Sequence, residues 1–267
     1  MPNIQNSVQN IYTLENLAAG GTVIHRLHPA AKMLSALFFI VTVVSFDRYA
    51  VLSLTPFVFY PAVLMALSET PHLMMFKRFF AALPFCLFAG IANVIFERSA
   101  AFSLGGLTVS FGTISLITLL FRTYLCVMAV LILIATTPVM EITGQLRRVR
   151  VPAIFVTLFE MTYRYTGVLL EEAAFMHTAY SLRGRSQKGI EMRHMGSFVG
   201  QLIIRSFDRA ERVYAAMKCR GYALREFHAR ERKFTARDMV FAAMVFSFCV
   251  FFRMVSIDAV INALARF

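Results

Sequence analysis

Two short stretches of this 267-residue chain place guanidinium groups where they could do chemistry. "TAYSLRGR", Thr178 to Arg185, and "YAAMKCRGYA", Tyr214 to Ala223, each set an Arg-Gly pair at the end of a helix-like run. A guanidinium is a planar fork of donors, suited to paired contacts with carboxylates or carbonyls. Aligning Arg183 with Arg220 gives an offset of thirty-seven residues and brings Glu171 opposite Asp208, Ala173 opposite Ala210 and Ala179 opposite Ala216. Each unit reads acidic residue, eleven residues, then Arg-Gly. Two readings stand side by side. In one, Gly184 and Gly221 supply the left-handed residue that closes a helix, and the arginines favour the negative end of its dipole. In the other, Arg183 and Arg220 offer their forks to a partner with two similar docking sites, such as a dimer.

Other chemistry finds little support. Six histidines, His25, His28, His72, His177, His194 and His228, form no His-x-x-x-His pair and no mixed Cys/His cluster. His28 precedes Pro29 and is expected outside a helix. Cys86, Cys126, Cys219 and Cys249 stand far apart with no CxxC, so neither a disulfide framework nor a zinc site is expected. Walker A, GxSxG and HExxH patterns are absent from the sequence. The expectation is a chain with no catalytic residue, no metal ligand and no nucleotide site of its own.

The elements that must carry the two arginines are set by hydropathy. The chain is 58% hydrophobic and 16% charged, with a mean hydropathy of +0.64. Soluble domains average about 45–50% apolar and about 25% charged residues. Five apolar runs emerge: Ala30–Phe46, Tyr49–Leu67, Phe79–Phe96, Phe111–Thr137 and Met239–Ile257. A membrane helix needs about 17–25 apolar residues. Lys32 is expected to snorkel from the first run, and the first two runs to form a tight hairpin across Asp47-Arg48. Pro56, Pro61 and Pro84 are tolerated as kinks in such helices. Gly105-Gly106 and its flanks read as a loop. Arg122 interrupts the fourth run, either at the outer end of a span or facing a bundle interior. The N-terminus lacks a basic region followed by an apolar core and is not expected to be a signal peptide.

The fold class that follows is all-α: a polytopic membrane protein with about five transmembrane helices and a cytoplasmic helical domain. Its parts are residues 1–137 with about four spans, 138–238 as the cytoplasmic domain, and 239–267 as the last transmembrane helix. Between Glu141 and Asp238 lie eighteen Lys and Arg, and the net charge is +12. Positive charge gathers in cytoplasmic loops, which puts the N-terminus and this segment inside and the chain in the cell membrane. Within the segment one helix is expected from Pro152 to Leu182 and another from about Phe198 to Cys219. The second carries an apolar face including Val199, Leu202, Ile203, Phe207 and Val213 at three- and four-residue steps. Arg205, Arg209 and Arg212 share another stripe, with Asp208 placed to pair with Arg212. Glu160 and Arg164 have the same spacing.

Three stretches carry a resemblance: "HRLHPAAKMLSALFFIV" from His25, "YRYTGVLLEEAAFMHTAYSLRG" from Tyr163 and "RSFDRAERVYAAMKCRGY" from Arg205. Together with the paired endings they resemble the transmembrane T components of energy-coupling-factor (ECF) transporters, in their CbiQ-like, cobalt or nickel branch. The family's paired motif is usually Ala-Arg-Gly; here Leu182 and Cys219 replace the Ala. The resemblance implies a non-catalytic scaffold. Two ABC-type ATPases, which bind the ATP, would dock beneath it at Arg183, Gly184, Arg220 and Gly221. Glu171, Asp208, Arg205, Arg209 and Arg212 would support the coupling helices. A separate substrate-binding membrane subunit would lie against its other surfaces.

The implied partners are therefore an ABC ATPase dimer, that membrane subunit and the lipid bilayer, with no nucleic acid. A rival reading is a membrane-embedded enzyme or lipid-surface-binding protein whose basic platform meets anionic headgroups. A permease with its own substrate path would need a polar track through its spans, and these runs are too apolar for one.

Overall fold

The computed structural model describes residues 18, 20–96, 100–104, 107–183, 190–222 and 234–254. These fall into two compact units, one within Leu17–Pro138 and Arg232–Phe267, the other within Val139–Glu231. The architecture is helical, and the chain is an all-α, multi-pass membrane protein.

In the membrane unit the first helix, α1 (Pro29–Val44), opens as its residues require. His28 is extended, with φ −63° and ψ 131°, and its Nδ1 accepts the Ala30 N–H at 3.1 Å. Pro29 then fills the first helical position, where a missing N–H costs nothing. The next run is broken into α2 (Val51–Leu54), a 3₁₀ turn (Thr55–Val58) and α3 (Phe59–Ser68). Pro56 explains the break, because its ring nitrogen cannot donate to the Leu52 carbonyl. The Thr55 hydroxyl donates to that carbonyl instead.

A long helix, α4 (His72–Phe96), carries Pro84 within it and packs along α5 (Phe111–Thr136). Between them, where the sequence led us to expect only a loop, strands β1 (Ala100–Leu104) and β2 (Leu107–Ser110) pair antiparallel, Leu104 opposite Leu107. A glycine pair between two apolar stretches is also a hairpin signal, and that signal prevailed.

The fourth apolar run is helical straight through Arg122. Helix α5 packs on α1, α2, α3 and α4, and the last helix of the unit (Ala236–Met254) packs on α1. The core centres on Phe57, fully buried, whose ring meets those of Phe39, Phe46 and Phe248 at centroid distances of 5.9, 5.3 and 5.9 Å.

Among the described residues, three helical stretches are long and apolar enough to cross a membrane: Val51–Ser68, Met75–Ile95 and Gly112–Thr136. Pro29–Val44 is apolar but shorter, at 16 residues. Ala236–Met254 is 19 residues long and carries Arg237, Asp238 and Arg253 at its ends.

The second unit holds α6 (Val139–Arg148), α7 (Ala153–Arg183) and α8 (Met192–Cys219), so the closing helix of the membrane unit is α9. Helix α6 occupies a stretch with no expected element. Its signal is a short apolar stripe, Val139, Ile142, Thr143 and Leu146, with Glu141 in the first turn and Arg147 and Arg148 in the last. It closes without glycine. Arg150 holds φ 65°, its N–H donates to Arg147 O at 3.2 Å, and Val151 N–H donates to Leu146 O at 3.3 Å. That pair of bonds is a Schellman closure, and Pro152 follows it. Helix α7 matches its expected span. Helix α8 starts at Met192, six residues before the expected Phe198, and Tyr180 of α7 bonds His194 in its first turn (Oη to Nδ1, 2.9 Å).

Candidate functional site: the paired helix ends

The second Arg-Gly ending is described in full. Helix α8 stops at Arg220, whose backbone has φ −87° and ψ 3°. Gly221 follows in the left-handed region at φ +67°. Its N–H donates to Lys218 O at 3.0 Å and Tyr222 N–H donates to Met217 O at 3.0 Å, again a Schellman closure. Backbone bonds alone therefore close this helix. The Arg220 side chain is exposed and makes no hydrogen bond or ion pair among the described residues. Arg183 is the last residue of α7, also exposed and without such a partner among the described residues. Gly184 lies outside the described residues.

Helices α7 and α8 run in opposite directions along each other. Tyr180 meets His194, Glu172 meets Arg205 and Arg209, and farther along a groove of about 260 Å³ has Met161, Tyr165 and Leu169 on one wall and Val213 and Met217 on the other. Arg183 thus sits beside the start of α8 and Arg220 at its end. With 28 residues in α8, the two lie roughly 40 Å apart along the pair, at about 1.5 Å per residue.

The ion pairs differ from those expected. Glu172 is the carboxylate that joins the helices: Arg205 pairs with its Oε1 and Arg209 Nη2 lies 3.8 Å from its Oε2. Its neighbour Glu171 is exposed. Asp208 and Arg212 form no ion pair among the described residues. An exposed i,i+4 pair gains only about 0.2–0.5 kcal/mol, too little to hold two hydrated groups together. Glu160 turns from Arg164 to Arg147 of α6, at 3.0 Å with side chains 18% and 20% exposed. There α6 shields the pair from water, which strengthens it relative to a solvated one.

Residues 20–229 match the CbiQ family, described as cobalt transport protein. The chain belongs to the CbiQ family. It is 35% identical over 91 residues to the cobalt transport protein CbiQ of Rhodobacter capsulatus, an alignment covering 34% of this chain and 37% of that one. It is 29% identical over 136 residues to the putative fused cobalt transport protein CbiMQ of Methanocorpusculum labreanum, covering 50% and 22%. A longer alignment, 233 residues at 26% identity, covers 82% of this chain and 78% of an uncharacterized protein of Methanocaldococcus jannaschii.

The membrane unit of this CbiQ-family chain turns its own basic residues to structure. Lys32 does not snorkel: it is 4% exposed and its Nζ donates to Thr136 O at 2.8 Å. The last carbonyls of α5 have no intrahelical donor, and a buried ammonium meets that need better than a distant interface would. Arg122 is bonded to the turn that joins the first two runs, donating to the backbone carbonyls of Phe46 and Asp47. Arg253 of α9 joins it there, donating to Ser45 O at 3.1 Å and lying 4.5 Å from the Phe46 ring centroid.

Asp238 was not singled out from the sequence. Buried at 4% exposure, its carboxylate accepts the His28 N–H at 2.7 Å and the Thr235 N–H at 2.8 Å, tying the starts of α1 and α9. An Asp three residues after a Thr at a helix start was the available signal.

Proposed function

We propose that this chain is the non-catalytic transmembrane scaffold of an ATP-driven ECF-type importer for cobalt or nickel. In this reading two ABC-type ATPases bind ATP and dock at the α7 and α8 ends, through Arg183 with Gly184 and Arg220 with Gly221. A substrate-binding membrane subunit lies against the membrane unit, and the coupling unit with the N-terminus faces the cytoplasm. Closure of the ATPases would tilt α7 and α8, and the tilt would pass to the substrate-binding subunit.

The observation that carries the reading is the pair of guanidiniums at opposite ends of one antiparallel helix pair, neither with a partner among the described residues. Since the Gly221 closure is complete without Arg220, capping leaves the side chain unexplained. Roughly 40 Å of helix exceeds the ~30 Å width of a small domain, so each end would meet a different subunit of a dimer. The exposed Ile203, Ile204, Phe207 and Tyr214 give α8 an apolar surface for such contacts. Membership of the cobalt transport family supports the cargo. The relative named as a fused CbiMQ is consistent with a membrane partner close enough to be joined in one chain.

The test is co-purification from native membranes in mild detergent. Arg183→Glu with Arg220→Glu should leave insertion intact and remove the ATPase, and each single change should weaken one docking site. An ATPase recovered in normal amount with the double variant would sink the docking claim.

A further inference from the structure

A groove of about 1000 Å³ opens on the flank of the membrane unit between the segment that leads into α1 (residues 23–28), α3 and α9. Its walls are apolar, with Val63 and Leu67 on α3 facing Val240 and Met244 on α9, and these four side chains are exposed. Charge appears at one end only. Arg26 and Arg237 line the mouth, both exposed and neither paired with a carboxylate among the described residues. Asp238 also lines the groove, and its carboxylate is engaged by the His28 and Thr235 N–H groups. The N-termini of α1 and α9 end at the same mouth and add positive partial charge.

The length of the groove narrows the choice of occupant. Along α9 it runs from Arg237 to Phe248, twelve residues and so eleven steps. At about 1.5 Å per residue that is roughly 16 Å. Half of the ~30 Å hydrocarbon core of a bilayer is about 15 Å. A trough one leaflet deep, apolar along its walls and cationic at its mouth, fits a lipid with an anionic headgroup. Basic pockets between membrane helices bind such headgroups for this reason. A polar solute would find no partners along the walls, and a neutral helix would leave two cations facing nothing. We propose that the groove is a specific site for an anionic phospholipid, its phosphate held by Arg26 and Arg237 and an acyl chain laid between α3 and α9. The site lies wholly within the membrane unit and does not depend on ATPase docking.

Native mass spectrometry of the full chain, in detergent with equimolar phosphatidylglycerol and phosphatidylcholine of identical chains, tests it. The wild type should retain one phosphatidylglycerol in preference to phosphatidylcholine. Each of Arg26→Gln and Arg237→Gln should lower that preference about fivefold, the weight of one basic residue near a membrane surface. Arg26→Lys and Arg237→Lys should keep it. Equal retention of both lipids by the wild type, or an undiminished preference in the double Gln variant, overturns the proposal. Displacement of the lipid by millimolar glycerol phosphate would assign the mouth to a soluble phosphate and overturn it too. A photoactivatable acyl chain should mark α9 near Met244 in the chain alone and in its intact complex. Loss of that mark when accompanying subunits are present would give the groove to a protein instead.

Discussion

Gly221 holds φ +67° with open space where a Cβ would stand, so a substitution there meets backbone strain and no clash. Left-handed backbone costs an L-residue about 1–2 kcal/mol. Gly221→Ala is expected to destabilise the α8 end by about 1 kcal/mol, read as a lower thermal midpoint of the purified chain. Arg150 offers the opposite experiment, since it occupies the same position of the α6 closure at φ 65°. Relief of about 1–2 kcal/mol of strain outweighs the roughly 0.5–1 kcal/mol of extra unfolded-state freedom that glycine brings. Arg150→Gly should therefore raise the midpoint; a fall would mean that its side chain holds a contact worth more than the strain. At this scale the sequence showed Gly221 plainly, because glycine after an amphipathic run is a stop signal. Arg150 was invisible, since nothing in "RRVRV" announces a left-handed arginine.

Helices were legible wherever a period was sustained. The continuous α7 and the apolar face of α8 followed from spacing, whereas the second run, read as one span with Pro56 tolerated as a kink, is broken into three pieces. Which side chains meet across helices was not legible. Glu171 and Glu172 are adjacent in sequence but about 100° apart around a helix of 3.6 residues per turn, and only the docking of α8 decides that Glu172 faces Arg205 and Arg209. For the same reason Lys32 reads as a snorkelling residue until the end of α5 is brought to it. The pairing yields an element-scale prediction. Glu172→Gln leaves two arginines facing a neutral amide and should cost about 0.5–1.5 kcal/mol, since the carboxylate is only partly solvated. Asp208→Asn, on an exposed residue without an ion pair among the described ones, should change the midpoint by less. Equal effects in a thermal melt would place the helix junction elsewhere than at Glu172.

Across the whole molecule, long apolar runs declared a multi-pass membrane protein before any packing was known, because no soluble core needs helices like Met75–Ile95 and Gly112–Thr136 side by side. The direction of insertion rests on where the basic residues gather, and the four cysteines make it measurable without engineering new sites. Cys219 is exposed at the end of α8, beside Arg220. Cys249 is buried in the membrane unit, and Cys86 and Cys126 are half-buried within α4 and α5. A thiol must ionise in water to react, so a charged, membrane-impermeant maleimide should reach Cys219 far faster than the other three. With the coupling unit in the cytoplasm, intact cells should show almost no labelling, and inside-out vesicles should label a single site that Cys219→Ser removes. Labelling of Cys219 in intact cells would reverse the orientation, and with it the side from which any ATPase could dock. The same thiol also reports on docking. If a partner grips Arg220, Cys219 in vesicles that retain the ATPase should react several-fold more slowly than in stripped vesicles, while Arg220→Glu should make the two rates equal.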